Sequence, residues 1–423
     1  MSSVAGLAEI VSSAARAAGF DRAGIVPLSR FPELQYFQTW IAEGRGGEMR
    51  YLEAREPGGE LKRVAVERVF PWARSVIVGA VNYHSYPAFS GGIRGDPGTR
   101  SAPPARTETQ TSSGVLAAAG RSPTPASQKQ ACWGPRSRGR ISRYAWTQRD
   151  YHDEVMERLQ RLVGRLRPAA GDGFQTRCYV DTGPLIERVY ARYAGLGWLG
   201  KNTCLINERL GSWLFLGAIL TSLSVESEAE GGHPVLPAPD RCGTCTRCLD
   251  ACPTQAFLGP RRLDASRCIS YLTIEKRGPI PEERRRGIGR HVFGCDICQE
   301  VCPWNRKAPT NSSPGLQPRP ELIDPDLEWL ATMGEQAFRQ AFRGSPLRRA
   351  KRGGLRRNAV VAMGNSGDQR FRPVLQQLID DADETVASHA AWALRKLESE
   401  KKALPGRFTE EGLPIGIPKQ RAD

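Results

Sequence analysis

The chain lacks any apolar run long enough to cross a bilayer: about 18 residues are needed, and residues 213–220, among its most apolar, fall far short. Acidic residues are scarce relative to basic ones, 45 Asp and Glu against 60 Lys and Arg, so the net charge is +15. That imbalance favours a polyanionic partner over a neutral or acidic one. The first residues hold no basic and apolar leader and no twin-arginine signal, from which we expect a cytoplasmic protein with no membrane partner. RRM, KH and helix-turn-helix signatures are also missing, so a nucleic acid would be recognised through shape, phosphate and an extruded base. A secreted disulfide scaffold would be short and would spread its cysteines. Here eight of 11 cysteines fall between Cys242 and Cys302, leaving Cys132, Cys178 and Cys204 alone.

What is present is enough apolar sequence, 40% of 423 residues, for two or three domains. Residues 3–19 carry Val4, Leu7, Ile10, Val11 and Ala15 at helical spacing. Residues 23–27 and 75–81 read as buried strands, and residues 150–167 as a helix with Val155, Leu159, Leu162, Val163 and Leu166 on one face. Residues 177–181 read as a strand, followed by a helix opened by Pro184, and residues 213–223 return to the sheet. Between 85 and 138, Pro, Gly, Ser, Thr, Ala and Arg dominate, and we expect disorder there. The chain from 308 to 325 is rich in proline. Beyond it, Asn358-Ala-Val-Val-Ala-Met returns as His389-Ala-Ala-Trp-Ala-Leu, which suggests a HEAT-like helical repeat. We therefore expect an α+β protein: a catalytic domain in two parts, 1–84 and 139–240, around the insertion 85–138. A ferredoxin-like domain (241–310), a helical domain (311–400) and a basic tail (401–423) follow.

The cysteines carry the strongest chemical signal. Cys242, Cys245, Cys248 and Cys252-Pro253 follow C-x₂-C-x₂-C-x₃-C-P, the bacterial ferredoxin run. Cys268, Cys295, Cys298 and Cys302-Pro303 repeat it with the first cysteine moved upstream. In two-cluster ferredoxins the fourth cysteine of each run ligates the other cluster. The spacing thus assigns Cys242, Cys245, Cys248 and Cys302 to one [4Fe–4S] cluster, and Cys252, Cys268, Cys295 and Cys298 to the other. Structural zinc sites use C-x₂-C pairs but need no triple run ending in Cys-Pro. Two adjacent clusters imply electron relay.

Asp181 stands at a strand end, where α/β sheets carry their sites, though it could equally cap a turn or helix. The segment from Gly195 to Gly200 matches G-x-G-x-x-G but follows a helix, so a dinucleotide role lacks its context. Its glycines would instead let backbone approach something large and flat, with Lys201 and Asn202 beside it. Arg343, Arg348, Arg349, Lys351, Arg352, Arg356 and Arg357 form a run without acids, and Arg284, Arg285, Arg286 and Arg290 a smaller one near Lys276 and Arg277. A charge run is usually a solvated face, but here the overall charge points to nucleic acid.

Asp181-Thr-Gly-Pro-Leu-Ile-Glu-Arg, Ala194-Gly-Leu-Gly-Trp-Leu-Gly-Lys-Asn-Thr, Gly211-Ser-Trp, Cys268-Ile-Ser-Tyr-Leu-Thr-Ile-Glu and Gly294-Cys-Asp-Ile-Cys-Gln-Glu-Val-Cys-Pro-Trp-Asn together resemble the epoxyqueuosine reductases. The resemblance implies a nitroreductase-like domain holding cobalamin, two [4Fe–4S] clusters, and C-terminal helices that grip the anticodon stem-loop of tRNA. It further implies reductive removal of the epoxide oxygen of epoxyqueuosine by a monomer fed from a low-potential electron donor. By the matching positions, Asp181 is the proton donor and must hold a proton near neutral pH, which burial against the corrin would favour. Arg63, Ser142, Lys201, Thr203, Ser212 and Ser270 neighbour the corrin, and Lys276, Arg277, Arg348, Arg349 and Arg352 face tRNA. Cobalamin rests on the resemblance alone, because Asp150-Tyr-His152 lacks the glycine that would complete D-x-H-x-x-G. Two rivals stand beside this reading: a reductive dehalogenase-like cobalamin and iron–sulfur enzyme acting on a small molecule, and a non-catalytic iron–sulfur protein that binds nucleic acid.

Overall fold

The computed structural model describes residues 4–85, 137–225 and 236–402. Cys132, the body of the expected insertion, residues 226–235 and the tail beyond 402 lie outside the described residues.

An antiparallel four-stranded sheet runs in the order Arg22–Pro27, Ser75–Asn82, Leu214–Thr221, Thr176–Tyr179. Every residue of Ser75–Asn82 is buried, because helices cover both faces of the sheet; its sequence is accordingly a continuous apolar run. Val11 and Ala15 of the helix Val4–Ala18, with Val155, Leu159 and Leu162 of Tyr151–Ala170, pack on Ile77, Phe215 and Ile219. Leu34 of Pro32–Ala42, with Val189 and Tyr190 of Glu187–Tyr193, packs on Val76, Val78, Ala218 and Leu220. Gly217 permits the first packing, since a Cβ there would meet Val155 at 2.8 Å. Ile10, expected on the apolar face of the first helix, is exposed.

The helix expected to open at Pro184 starts three residues later, at Glu187. Residues 181–186 first bend back on the strand: Asp181 takes φ 58°, and Gly183 lies so near the Tyr179 ring that a Cβ would meet it at 2.5 Å. The glycine segment is also corrected. A Cβ on Gly197 would strike the Ile206 carbonyl oxygen at 2.1 Å, and one on Gly200 the Ile206 side chain at 2.5 Å. These two glycines let Trp198–Leu199 close on Leu205–Ile206 as a small hairpin, so the chain itself takes the space expected for a flat ligand.

In the cysteine-rich region, the short helices Arg247–Asp250 and Ile297–Glu300 lie side by side. The strand His291–Phe293 pairs in parallel with Arg140–Ile141, joining this region to the chain that resumes after the insertion. Beyond it, the helices Lys351–Ser366 and Glu384–Lys402 pack on each other, with Gly364 against Ala393. The two repeat positions do equivalent work. Asn358 donates to the carbonyls of Thr273 and Val292, and His389 Nε2 accepts the Ile280 N–H, so both helices are fastened to the cysteine-rich region. Burial pushes the His389 pKa down to about 4, which keeps the ring neutral and able to accept.

Arg356, Arg357 and Arg285, expected within the exposed basic patches, are buried. Arg356 pairs with Asp381, and Arg357 donates to the carbonyls of Leu272, Lys276 and Gly278. An arginine run on a packed helix puts some guanidiniums inward, where unpaired carbonyls need donors. Among the described residues, no helix is long and apolar enough to cross a membrane.

Candidate active site

The eight clustered cysteines fall into two neighbourhoods. Cys248, its thiol raised to about 11 by burial and then by nearby charge, feels Cys302, Cys242 and Cys245. Cys295 feels Cys268 and Cys252, and Cys298 feels Cys295 and Cys268. Each neighbourhood takes three cysteines from one run and one from the other. Among the described residues no three donors converge as a single-ion site would require. Cys204, on the hairpin, is a ninth thiol: it touches Cys298 and lies 3.7 Å from Gln299 Oε1.

A cavity of about 1050 Å³ opens beside the second quartet. Its walls come from distant segments: Trp40, Tyr51 and Arg63; Tyr144 and Tyr151; Asp181, Leu185, Glu187 and Arg188; Thr203 and Phe215; Arg262; Gln299; and Arg349. Gln299, which lines the cavity, follows Cys298 directly, and Asn202 donates to the Cys298 carbonyl. Two of the wall residues, Asp181 and Thr203, hold positive φ (58° and 67°), a strain that clusters at functional sites.

The Asp181 side chain is 46% exposed, at the end of the sheet that borders the cavity. Its Oδ2 accepts the Tyr151 hydroxyl and lies 3.6 Å from His152 Nε2. On this wall the carboxyl withdrawn from solvent is that of half-buried Glu187. Burial, and then the Asp181 charge, push its pKa up to about 7, and its Oε1 has no hydrogen-bond partner. Arg192 Nε, on the same wall, is likewise unpartnered.

Of the residues singled out from the sequence, Arg63, Asp181, Thr203 and Arg349 line this cavity, and Ser142, Lys201, Ser212 and Ser270 do not. The Ser142 hydroxyl donates to Asp296, the Ser212 hydroxyl accepts from Asn305, and Lys201 reaches the Gly243 carbonyl in the first cysteine run. Ser270 stands beside Cys268, whose thiol its backbone and side chain approach. On the basic face, Arg343, Arg348 and Arg349 are exposed. Arg349 is bonded to Glu275 at 2.8 Å, Arg352 to Glu335 at 3.2 Å, Lys276 to Glu48, and Arg277 to the carbonyl of Arg349. Glu187, Arg188, Tyr151 and His152 were missed. Glu187 and Arg188 sit in the quoted Asp181 segment, and the helical register of residues 187–193 was their only available signal.

Three family models match the chain: "Epoxyqueuosine reductase QueG, DUF1730" over 100–182, "4Fe-4S double cluster binding domain" over 241–305 and "HEAT repeats" over 346–406. A protein of Xanthomonas campestris pv. campestris, named epoxyqueuosine reductase, is 36% identical over 388 residues, 91% of this chain and 94% of its own. One of Pseudomonas aeruginosa with the same name is 38% identical over 395 residues, 92% and 94% of the two chains. A crystal structure of an epoxyqueuosine reductase with an epoxyqueuosine-modified tRNA-Tyr stem loop superposes with a TM-score of 0.71 at 29% identity, covering 96% of each chain. A Bacillus subtilis epoxyqueuosine reductase, with its catalytic aspartate loop swung out of the active site, gives the same score, identity and coverage.

Proposed function

Because the chain belongs to the epoxyqueuosine reductase family, we propose that its cavity reduces epoxyqueuosine in the anticodon stem-loop of tRNA to queuosine, with Asp181 as the acid. The observation that carries this reading is one cavity walled by a strained carboxylate, a segment of the second thiol quartet and an arginine of the helical region. The family placement decides against the dehalogenase-like and non-catalytic rivals.

Removing the epoxide oxygen consumes two electrons and two protons, leaves an alkene and releases water. As the carbon–oxygen bond opens, charge grows on oxygen, and Asp181 stands where it can supply the proton. The Tyr151 hydroxyl fixes the orientation of its carboxylate, and the positive φ holds it out from the strand end. Two clusters, held by Cys242, Cys245, Cys248 and Cys302 and by Cys252, Cys268, Cys295 and Cys298, would supply electrons from a low-potential donor, and Gln299, next to Cys298, lines the cavity. The cavity suits a corrin: its volume exceeds that of ordinary small-molecule pockets, its walls are largely apolar, and the unpartnered Glu187 Oε1 and Arg192 Nε can meet peripheral amides. Bound cobalamin would supply a strongly reducing cobalt centre to the epoxide carbon. Arg63, Thr203 and Asp181 are the residues to hold it, and Ser142, Lys201, Ser212 and Ser270 would act through the loops they brace. Arg348, Arg349, Arg352, Lys276 and Arg277 would meet tRNA phosphates, in a cytoplasmic monomer with a nitroreductase-like catalytic domain.

The test is anaerobic incubation with epoxyqueuosine-containing tRNA, cobalamin and a strong reductant, followed by nucleoside analysis. Wild type should yield queuosine. Asp181→Asn should keep its iron and bound corrin but lose about 10²- to 10⁴-fold in rate, the usual span for general acid help. Near-wild-type turnover by Asp181→Asn would remove it from the acid role.

A further inference from the structure

Each turnover leaves Asp181 as a carboxylate that must regain a proton before the next. Asp150 and His152 stand at the start of the helix Tyr151–Ala170. One oxygen of Asp150 accepts the backbone N–H of His152 at 3.1 Å and lies 2.7 Å from its ring Nδ1. The other ring nitrogen, Nε2, lies 3.6 Å from Asp181 Oδ2. A carboxylate, an imidazole and a second carboxylate thus form a line that ends on the cavity wall. The ring is stacked on Tyr151 (centroids 4.1 Å apart), so its plane is fixed, and its side chain is 25% exposed, so water reaches it.

We propose that His152, oriented by Asp150, is the positioning residue that returns a proton from solvent to Asp181 between turnovers. The proposal rests on Asp181 being the acid. An ionised Asp150 only accepts hydrogen bonds, so Nδ1 keeps its hydrogen throughout and Nε2 is the nitrogen that loads and unloads. Burial alone would raise the Asp150 pKa, but hydrogen bonding and charge from His152 outweigh that and hold it below its usual value, which keeps it the acceptor. Loaded His152 carries N–H at both nitrogens. Nε2 passes its proton to Asp181, giving a neutral ring and a carboxylic acid; Asp181 gives that proton to the oxygen leaving the epoxide; water then reprotonates Nε2. Two such passes supply both protons of the water released, and the electrons come from the reductant of the reaction. The other groups whose charge bears on this line are the Glu187 carboxyl, the Tyr151 and Tyr144 hydroxyls, and the Arg349 guanidinium, which reaches it from the helical region.

The test uses the full chain with both clusters and cobalamin loaded. His152→Gln keeps the ring's bulk and polarity without a proton to give. Its kcat should fall about 10- to 100-fold, with the KM for stem-loop RNA and the iron content unchanged, and kcat should become proportional to the concentration of buffer acid. His152→Ala should regain rate on adding imidazole, which a merely structural role would not allow. Wild-type kcat in His152→Gln would overturn the relay; so would a loss that imidazole leaves untouched or that is accompanied by weaker RNA binding or lost iron. Asp181→Asn run in parallel separates the two ideas. Inactive Asp181→Asn beside wild-type-like His152→Gln removes the relay alone, whereas active Asp181→Asn removes the acid and the relay together.

Discussion

Replacing Arg357 by methionine should loosen the joint between the helical and cysteine-rich regions. Its guanidinium donates to the carbonyls of Leu272, Lys276 and Gly278 at 2.7–3.0 Å. Hydrogen bonds from a charged donor are worth about 1.5–3 kcal/mol each, so three would total roughly 4.5–9 kcal/mol if they added. They do not add, since the three share one group. Burial also opposes the charge, lowering the Arg357 pKa to about 10, and that penalty vanishes with the side chain. Two of the freed carbonyls, on partly exposed Lys276 and exposed Gly278, can turn to water. The remainder is about 3 kcal/mol, the range for breaking a buried charged contact. At roughly 2–4 °C per kcal/mol for a unit of this size, the thermal midpoint should drop by roughly 6–12 °C in calorimetry of the holoprotein. Stem-loop affinity should fall with it, because the loop carrying Lys276 and Arg277 loses its brace. A midpoint within about 2 °C of wild type would refute the reasoning, since that loss is below one such bond.

Other expectations are as definite. Cys298→Ser should lower iron in anaerobically reconstituted protein from about eight to about four per chain, with the first quartet intact; zinc in place of iron would undo the assignment. Stem-loop affinity should fall steeply with salt, and reversing Arg348, Arg349 and Arg352 to Glu should flatten log K against log salt by roughly 2; an unchanged slope would clear that face of phosphate contact. Glu187, whose folded pKa is raised by burial to about 7, adds stability that is full below the unfolded carboxyl value and is lost as pH rises through 7. The thermal midpoint of protein free of added cofactor should therefore decline from pH 5 to 8 by more in wild type than in Glu187→Gln, and parallel curves would exclude that carboxyl.

The cysteine runs were legible because ligand spacing is a local property of the chain. Asp181 was legible as a carboxylate at a strand end. The cavity was not: Arg63, Glu187, Arg262, Gln299 and Arg349 meet only through long-range packing, which no periodicity encodes. Asp150 and His152 drew notice only as part of an incomplete motif, and their use depends on a loop that comes back from residue 181. The arginine run misled for a related reason. Composition cannot tell which guanidiniums a helix turns inward, and Arg356 and Arg357 lie on the buried side. The glycine segment misled because its tight backbone approach is to Ile206, within its own hairpin.

The reaction chamber draws its walls from residues as far apart as Glu33 and Arg349. A piece of the polypeptide that ends before Arg349 or begins after Trp40 therefore lacks part of the wall, Arg349 in the one case and the aromatic shelf of Tyr36 and Trp40 in the other. Arg349 is at once exposed on the basic face and part of the lining, so a polyanion held on that face would sit at the rim of the cavity.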